Sequence, residues 1–367
     1  MLRIAILWSE LSGYLNACMQ SLVKEHEVRL CVYRITRNVS VDRPYNDSLF
    51  TWISDLNTLP NNSANLAPAV INHLENFQPD AILIVGWSHP VYRRVARHFK
   101  SGIRPIIAGC DNQWHGTWKQ WGGTLISRWW LHPMYDALWT PGERGVTFAR
   151  RLGYRGLGVM EGLYACNTYA FEPVSNRETC DANQWPKWPP RFLFTGRLAK
   201  EKGIEDLIRA YQLYRAQTQQ PWELWCAGSG PLEYLLKDVP GVRLLGFVQP
   251  NDLPEIFRQV SVLILPSHFE PWGVVVHEAT CAGLSVLCTR QCGSSVELVQ
   301  DGYNGYLFDA GDYEHLANLM LYYSQGRVDF DKFGANSVAL SSRYSPSQWA
   351  DYLVQRIVDL ARTKSLQ

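Results

Sequence analysis

The sequence predicts an α/β protein built from two Rossmann-like, doubly wound domains. Short apolar runs alternate with helix-like stretches, and this pattern of βα units around a mostly parallel sheet occurs twice along the chain. A chain of 367 residues also exceeds what one hydrophobic core usually organises. A proline-rich segment separates the two halves. We therefore expect two domains joined by a linker.

Each half contributes six predicted strands, which are short apolar runs bounded by turn-forming residues. They are residues 4–8, 28–33, 81–86, 105–109, 137–140 and 157–160 in the first half, and 192–196, 223–227, 243–246, 262–266, 285–288 and 305–308 in the second. The predicted domains are residues 1–171 and 191–344. Because ligands of doubly wound sheets bind beyond the carboxyl ends of the strands, we expect the domains to face each other across a cleft that holds the active site.

The linker is predicted at residues 172–190, which carry four prolines among polar residues and so resist both helix and central strand. A final helix is predicted at residues 345–367. Ser345 and Pro346 form its start, and an apolar stripe follows at helical spacing from Trp349 to Leu360. Because that stripe needs a surface to cover, we expect the helix to cross back to the first domain.

Composition excludes several classes of protein. Lysine plus arginine number 35 against 34 for aspartate plus glutamate, so a globally basic nucleic-acid binder is excluded. No apolar stretch approaches the roughly 18 to 20 residues of a membrane-spanning helix, and the first apolar run is too short for a secretory signal. Nine scattered cysteines without a Cys-x-x-Cys predict neither a disulfide framework nor a zinc site. We expect a cytoplasmic protein that is soluble or peripheral at the inner face of the membrane.

The most informative segment is residues 267–279, SHFEPWGVVVHEA, which follows the predicted strand 262–266. Pro271 and Gly273 allow a tight turn, after which a helix is predicted whose free N–H groups would bind a diphosphate. Glu278 in that helix has two oxygens that suit a ribose diol. Glu270 at the loop entrance suits the hydroxyls of a transferred sugar. An ordinary solvated pair of glutamates at a helix start is the alternative.

This segment resembles the Glu-x7-Glu signature of the retaining family-four glycosyltransferases, the glycosyl transferases of group 1, which have the GT-B fold. The likeness continues through residues 281–283, CAG. By resemblance, Glu270 contacts the donor sugar and Glu278 the ribose. The turn between them supplies the other predicted donor-binding residues of this loop, Pro271, Trp272, Gly273 and Val274.

A second block, residues 194–203, FTGRLAKEKG, resembles the same family's Gly-Arg-Leu-x-x-x-Lys-Gly motif. Its Arg197 and Lys202 place a guanidinium and an ammonium where the leaving nucleoside diphosphate develops negative charge. These cations take the role that a metal has elsewhere, and the Asp-x-Asp at residues 329–331 lies away from the predicted strand ends. We therefore expect no metal and no cofactor besides the nucleotide-sugar donor. A solvated basic loop is the alternative.

Three assignments rest on weaker likenesses. Residues 227–231 and 245–248 resemble the family's Gly-x-Gly turn and base-contacting strand end, which assigns Val248 to the donor base. The family's glycine-rich loop after the first strand is here SELSGY, with Gly13 as its single glycine, assigned to the donor phosphates. Asp111, just beyond the predicted strand 105–109, is the candidate first-domain residue beside the donor sugar, although a simple turn explains it equally well.

Aromatic and basic residues cluster at 114–135, where five tryptophans and one tyrosine alternate with Lys119 and Arg128. A basic run lies nearby at residues 93–100. Because tryptophan stacks on sugars and lies at membrane interfaces, we interpret this region as an acceptor surface, with Trp114 and His115 as candidates and with peripheral membrane association. Core aromatics plus a solvated helix face are the alternative.

The resemblance implies a retaining transferase that moves a hexose-type sugar from a nucleotide-diphosphate donor to a saccharide or glycolipid acceptor, as in bacterial polysaccharide assembly. It implies no nucleic-acid partner and no protein nucleophile. Two alternatives are a non-hydrolysing sugar-nucleotide epimerase and a catalytically silent nucleotide-sugar-binding scaffold. A dinucleotide-dependent dehydrogenase is disfavoured because no Gly-x-Gly-x-x-Gly follows the first predicted strand.

Overall fold

The computed structural model describes residues 1–36, 47–60, 64–171, 173 and 187–366. The contacts of these residues form two compact units, the first from the described residues of 1–36, 47–60, 64–165 and 344–366, and the second from 166–171, 173 and 187–343. Residues 166–171, assigned from the sequence to the first domain, belong to the second unit, where Phe171 packs edge-on against Phe257 with ring centroids 5.2 Å apart. Most of the predicted linker 172–190 lies outside the described residues.

The first unit contains a seven-stranded parallel sheet in the order β3-β2-β1-β4-β5-β6-β7. The strands are β1 Arg3–Trp8, β2 Arg29–Thr36, β3 Leu56–Pro60, β4 Ala81–Val85, β5 Ile106–Gly109, β6 Ala137–Thr140 and β7 Val159–Glu161. All six predicted strands are present. A seventh strand, β3, was not predicted. It is an edge strand with the sequence LNTLP, and because its residues are mostly exposed or half-buried it lacks the apolar run of a central strand.

Helices flank this sheet. They are α1 Gly13–His26, α2 Ala67–Phe77, α3 Pro90–Phe99, α4 Trp118–Trp130, α5 Glu143–Arg151 and the C-terminal α12 Pro346–Ser365. The predicted return of the C-terminal helix is confirmed, because α12 packs against α1 and buries its apolar stripe. Trp349 stacks on Trp139 with ring centroids 4.8 Å apart, and its indole N–H donates to the carbonyl of Leu163 at 2.9 Å.

The second unit contains a six-stranded parallel sheet in the order β10-β9-β8-β11-β12-β13. Its strands are β8 Arg191–Thr195, β9 Glu223–Ala227, β10 Val242–Gly246, β11 Val262–Leu265, β12 Ser285–Thr289 and β13 Gly305–Phe308. Its helices are α6 Ile204–Ala216, α7 Leu253–Arg258, α8 Val274–Cys281, α9 Ser295–Leu298, α10 Tyr313–Ser324 and α11 Phe330–Ser341. All six predicted strands are present, and the predicted doubly wound α/β class is confirmed.

In this sheet the chain order runs outward in both directions from β8 and β11, which pair through Phe192 and Val262. In doubly wound sheets the loops at such a reversal form the ligand crevice. The loops after β8 and β11 are those that carry the two sequence motifs. No helix among the described residues is long and apolar enough to cross a membrane.

Candidate active site

The loops after β8 and β11 meet through their backbones at Gly203. This residue has φ +68°, and a Cβ added to it would lie 2.0 Å from the carbonyl oxygen of Pro266. Beside this contact the backbone N–H groups of His268 and Phe269 both donate to the carbonyl of Glu201, at 2.9 and 3.2 Å. Only glycine accommodates both the left-handed angle and the contact, so the glycine that ends the first motif positions the second.

A glycine turn after β9 supports the Arg197 loop from the other side. A Cβ on Gly228 would lie 1.9 Å from the carbonyl oxygen of Gly196, and one on Gly230 would lie 2.5 Å from that of Leu198. The Leu198 N–H donates to the carbonyl of Ser229 at 2.9 Å. The Gly-x-Gly turn is therefore needed for close backbone packing beneath the motif loop.

Lys202 and Glu270 form an ion pair that joins the two loops. Their side chains are 17% and 12% exposed, so the pair is largely screened from water. Arg197 lies on the same loop with a more exposed side chain, and its guanidinium is 3.5 Å from the carboxylate of Glu201. The structure thus brings Lys202 and Glu270 together across 68 residues of sequence.

The turn predicted at residues 271–273 is present and is held by the segment after β12. Gly293 N–H donates to the carbonyl of Glu270, and Ser294 N–H to that of Trp272, both at 2.9 Å. Gly273 has φ +88°, and a Cβ there would lie 2.8 Å from Cys292 Sγ. The predicted helix, α8, begins directly afterwards at Val274. Its first N–H groups are therefore placed beside Glu270 by a turn that requires glycine.

Glu278 lies in the second turn of α8 and is half-buried. Burial raises the pKa of its carboxyl group from 4.5 to about 7, with the neighbouring His277 lowering it and Cys281 raising it further. A carboxylate that is costly to ionise is stabilised by hydroxyl groups that donate to it. Glu278 is therefore suited to bind a polar ligand that supplies such donors.

The buried face of α8 carries His277 and Cys281, which form a buried thiol cluster with Cys166 that the cysteine spacing did not reveal. Its Sγ atoms are 3.5 Å apart, and hydrogen bonds from Cys166 and then His277 hold the pKa of the Cys281 thiol well below its usual range. The three ligand atoms lie within 4.8 Å of one another. However, the backbone N–H of Cys166 donates to Nδ1 of His277 at 3.1 Å, so a neutral ring carries its proton on Nε2. This tautomer has no ring lone pair left for a metal, so the cluster fits hydrogen-bonded thiols better.

The Asp-x-Asp at residues 329–331 has structural partners. Asp329 caps α11 by accepting from the N–H of Lys332 at 3.0 Å. Asp331 pairs with Lys187 at 2.6 Å and accepts from the indole of Trp188 at 3.0 Å, and these bonds lower its pKa. Both carboxylates thus take part in helix capping and ion pairing.

In the first unit, the candidate residues lie after β5 and β1. Asp111 is exposed and accepts a hydrogen bond from the hydroxyl of Tyr164 at 3.3 Å. Gly13 is the first residue of α1 and is not among the glycines with a left-handed backbone angle, so its main chain makes no special demand for glycine. The roles of Asp111 and Gly13, like that of the half-buried Val248 in the second unit, stay predictions.

The predicted acceptor candidates are differently placed. His115 is exposed, with its backbone N–H bonded to the side chain of Gln120 at 2.7 Å. Trp114 is half-buried, packed edge-on under Trp121 at 5.2 Å between ring centroids, with the Arg151 guanidinium 4.5 Å from the centre of its ring. Trp114 therefore supports its neighbours and does not present a bare ring.

The basic run 93–100 does not form one continuous surface. Arg93 donates to the carbonyls of Trp87 and Ser88, both at 3.0 Å, His98 lies 2.8 Å from Glu75, and Lys100 pairs with Asp136. Arg93, His98 and Lys100 are thus already engaged by neighbouring groups. Among the described residues, the exposed tryptophans lie instead on α4.

Comparison with known sequences finds one family model that matches part of the chain. Residues 176–337 match the family model described as glycosyl transferases group 1. An uncharacterized glycosyltransferase of Methanocaldococcus jannaschii is 37% identical over 121 residues, which cover 31% of this chain and 30% of the relative. The D-inositol 3-phosphate glycosyltransferase of Corynebacterium kroppenstedtii is 30% identical over 212 residues, 52% of this chain and 46% of the relative. The match thus spans less than half the length of each of these relatives.

Comparison with solved structures covers nearly the whole chain. HepE of Anabaena, solved with UDP and glucose, matches 98% of this chain and 100% of its own with a TM-score of 0.74 at 17% identity. Sucrose-phosphate synthase of Thermosynechococcus elongatus matches 99% and 100% with a TM-score of 0.73 at 16% identity. These likenesses confirm the predicted GT-B fold.

Proposed function

Because residues 176–337 belong to the glycosyl transferases of group 1 and the chain has the GT-B fold, we propose that this protein is a glycosyltransferase. It would move a hexose-type sugar from a nucleotide-diphosphate donor to a saccharide or lipid-linked acceptor, with retention of configuration and without a metal ion. The observation that carries the proposal is the placement of Lys202, Glu270 and Glu278 around the start of α8, at the point where the strand order of the second sheet reverses.

The donor's diphosphate fits the N-terminus of α8. The turn at Gly273 ends the loop and directs the first N–H groups of the helix, from Val274 and Val275, out of the end of the helix. A helix N-terminus attracts anions through these N–H groups and through the helix dipole. Lys202 supplies a positive charge on the neighbouring loop, and Arg197 a second, more exposed one.

Glu278 fits the ribose of the donor. The raised pKa of Glu278 means that its surroundings disfavour the ionised carboxylate. Two ribose hydroxyls that donate to the Glu278 oxygens would lower this pKa again. Donor binding below about pH 7 would therefore release a proton. This gives the proposed ribose contact a signature that does not depend on knowing the base or the sugar.

Lys202 and Glu270 fit the two ends of the bond that breaks. Without donor, the ion pair holds both side chains in place. With donor bound, Glu270 would accept hydroxyls of the transferred sugar, and Lys202 would stabilise the charge that grows on the departing diphosphate. In a retaining course the departing phosphate itself takes the acceptor's proton, so the protein contributes orientation and charge stabilisation.

Isothermal calorimetry against UDP-, GDP-, ADP- and TDP-sugars, each with and without EDTA, tests the donor site. Binding of one nucleotide class in EDTA is expected, with loss in Glu278→Ala and weakening in Arg197→Ala. Glu205→Gln, an exposed glutamate of α6, is the matched control and should bind like the wild type. Absence of binding to every donor would contradict the proposal.

Product analysis separates transfer from the other activities that bind a nucleotide sugar. A transferase releases nucleoside diphosphate, slowly to water and faster when a suitable acceptor is added. Conversion of one nucleotide sugar into another without diphosphate release would identify an epimerase. Tight binding with neither product, across a panel of saccharide and lipid-linked acceptors, would identify a silent binding protein.

A further inference from the structure

Helix α4 is amphipathic in the opposite sense to a helix on a water-facing surface. Its outward stripe is apolar, with Trp118, Leu125 and Trp129 exposed by 79%, 73% and 75%, and Trp121 and Ile126 are also more than half exposed. Most side chains that face the protein are polar, since Ser127 is buried and Gln120 and Thr124 are half-buried, and only Trp130, the last residue of the helix, packs an aromatic ring against the core. A surface helix of a monomer in water places these two classes the other way round.

Hydrogen bonds hold α4 in this orientation. Thr117 Oγ1 accepts from the N–H of Gln120 at 3.3 Å, and the Gln120 side chain closes the capping box and donates to the carbonyl of Gln113 at 2.6 Å. About two turns later, the buried Ser127 hydroxyl donates to the carbonyl of Leu152 at 2.9 Å. Rotation of the helix to hide its tryptophans would break the bonds to Gln113 and Leu152, so the exposed apolar face is a built feature.

The apolar face is larger than an ordinary surface patch. Fourteen large apolar side chains are exposed among the described residues, and five of them lie on this one helix. The three tryptophans alone expose on the order of 400 Å² if a full aromatic side chain contributes about 200 Å². Contiguous apolar patches of this size on a monomer mark interaction surfaces.

The charges around α4 select the partner. Residues 112–135 contain no aspartate or glutamate, and Lys119 and Arg128 lie on the helix itself. The Lys119 ammonium lies 5.5 Å from the centre of the Trp118 ring, and Arg151 lies over Trp114 beside the helix. Tryptophans with aliphatic side chains between them and a cationic rim are typical of helices that lie in the interface of an anionic bilayer.

We propose that α4 docks this protein on the surface of a bilayer that contains anionic lipid. Trp118, Leu125 and Trp129 enter the boundary between headgroups and acyl chains, while Lys119 and Arg128 contact the anionic headgroups. A second copy of the chain fits less well, because a two-fold interface would place these cations against their own images. A saccharide also fits less well, because Leu125 and Ile126 offer its hydroxyls no hydrogen-bond partner.

This surface extends the proposed function by favouring a lipid-linked acceptor over a free saccharide, and to that extent it rests on that function. The docking itself depends only on α4. Vesicle binding and donor binding are separate measurements, so one can fail while the other succeeds.

The test is co-sedimentation of the full chain with vesicles of phosphatidylcholine alone and with equal parts of phosphatidylglycerol. The wild type should bind the anionic vesicles more tightly, and added salt should weaken the binding. Trp118→Ser and Trp129→Ser should each lower the affinity roughly tenfold, and Lys119→Ala and Arg128→Ala each about fivefold. Ile103→Ser is the matched control, since Ile103 is 70% exposed in the same unit but outside α4, and it should bind like the wild type.

Three outcomes would overturn the proposal. The first is that the wild type does not bind anionic vesicles, and the second is that the double variant Trp118→Ser/Trp129→Ser binds them as tightly as the wild type does. The third is that light scattering finds a dimer of the wild type and a monomer of the double variant. Circular dichroism and thermal melting should show that the variant remains folded, because both side chains are exposed. Its retained donor binding in calorimetry would show that the donor site is intact.

Discussion

Replacing Glu278 by glutamine should stabilise the empty protein while it destroys donor binding. The carboxyl group of Glu278 has its pKa raised to about 7 by burial, so above that pH the folded state carries an ionised group in poor surroundings. Glutamine has the same shape and stays neutral. The substitution therefore removes the cost of ionisation together with the proposed acceptor of the ribose hydroxyls.

The magnitude follows from the pKa. A rise from 4.5 to about 7, at about 1.4 kcal/mol per pKa unit, corresponds to at most about 3.5 kcal/mol. Because Glu278 is half-buried, we expect roughly 1 to 3 kcal/mol. The folded state holds the proton more tightly than the unfolded chain does. This contribution to stability is therefore complete below pH 4.5 and is lost as the pH rises through 7.

The assay is thermal unfolding of the wild type and Glu278→Gln at pH 8 and pH 5. At pH 8 the variant should melt several degrees higher, about 2 to 4 °C for each kcal/mol in a domain of this size. At pH 5 most of that difference should disappear. Donor should raise the midpoint of the wild type and leave the variant unchanged. Glu205→Gln serves as the control for loss of an exposed carboxylate. A variant that is no more stable at pH 8, or equally stabilised at both pH values, would refute the reasoning.

Three further outcomes are expected. Gly203→Ala should lower the free energy of unfolding in urea by about 2 to 4 kcal/mol, because it adds a backbone clash to a left-handed backbone angle. Gly302→Ala should lower it by about 1 kcal/mol, because Gly302 has a φ of +69° but open space around it. Lys202→Met should lower the free energy of unfolding by about 2 to 3 kcal/mol because it removes the ammonium that pairs with the largely buried carboxylate of Glu270, and adding Glu270→Gln should restore most of that stability without restoring calorimetric donor binding. Diamide should oxidise the two thiols of the buried thiol cluster to a disulfide, which mass spectrometry would detect as a cross-linked peptide. Absence of the cross-linked peptide would contradict the 3.5 Å separation of the two Sγ atoms.

The sequence predicted the strands well because nearly all of them are buried in parallel sheets. Such strands read as continuous apolar runs, and twelve of the thirteen were found this way. The missed strand, β3, lies at a sheet edge and ends in proline. The boundary between the two units differs from the predicted domain boundary at residues 166–171. These residues show no strand or helix pattern in the sequence, and their contacts place them in the second unit.

The site was predictable where it is encoded in adjacent residues and not where it is assembled from distant ones. Glu270 and Glu278 stand in one short segment with the glycine turn between them, so their placement follows from a strand, a turn and a helix. The thiol cluster joins positions 166 and 281, and no local spacing indicates that contact. Nor does helical periodicity reveal which face of α4 is outward, because an apolar stripe looks the same whether it faces a core or a bilayer.

The placement of the charged residues of the candidate site depends on close contacts made by two glycines. The loops that carry Lys202 and Glu270 meet because Gly203 allows its backbone to contact the carbonyl of Pro266 after β11. If these loops were a few ångströms further apart, the ion pair would be an exposed surface pair. Gly273 likewise allows a close contact with the Cys292 thiol. A motif of two glutamates and a lysine therefore specifies the proposed donor site only together with these contacts. The reason is physical: the contacts join the loop that carries Lys202 to the loop that carries Glu270, and the turn at Gly273 leads from Glu270 directly into α8.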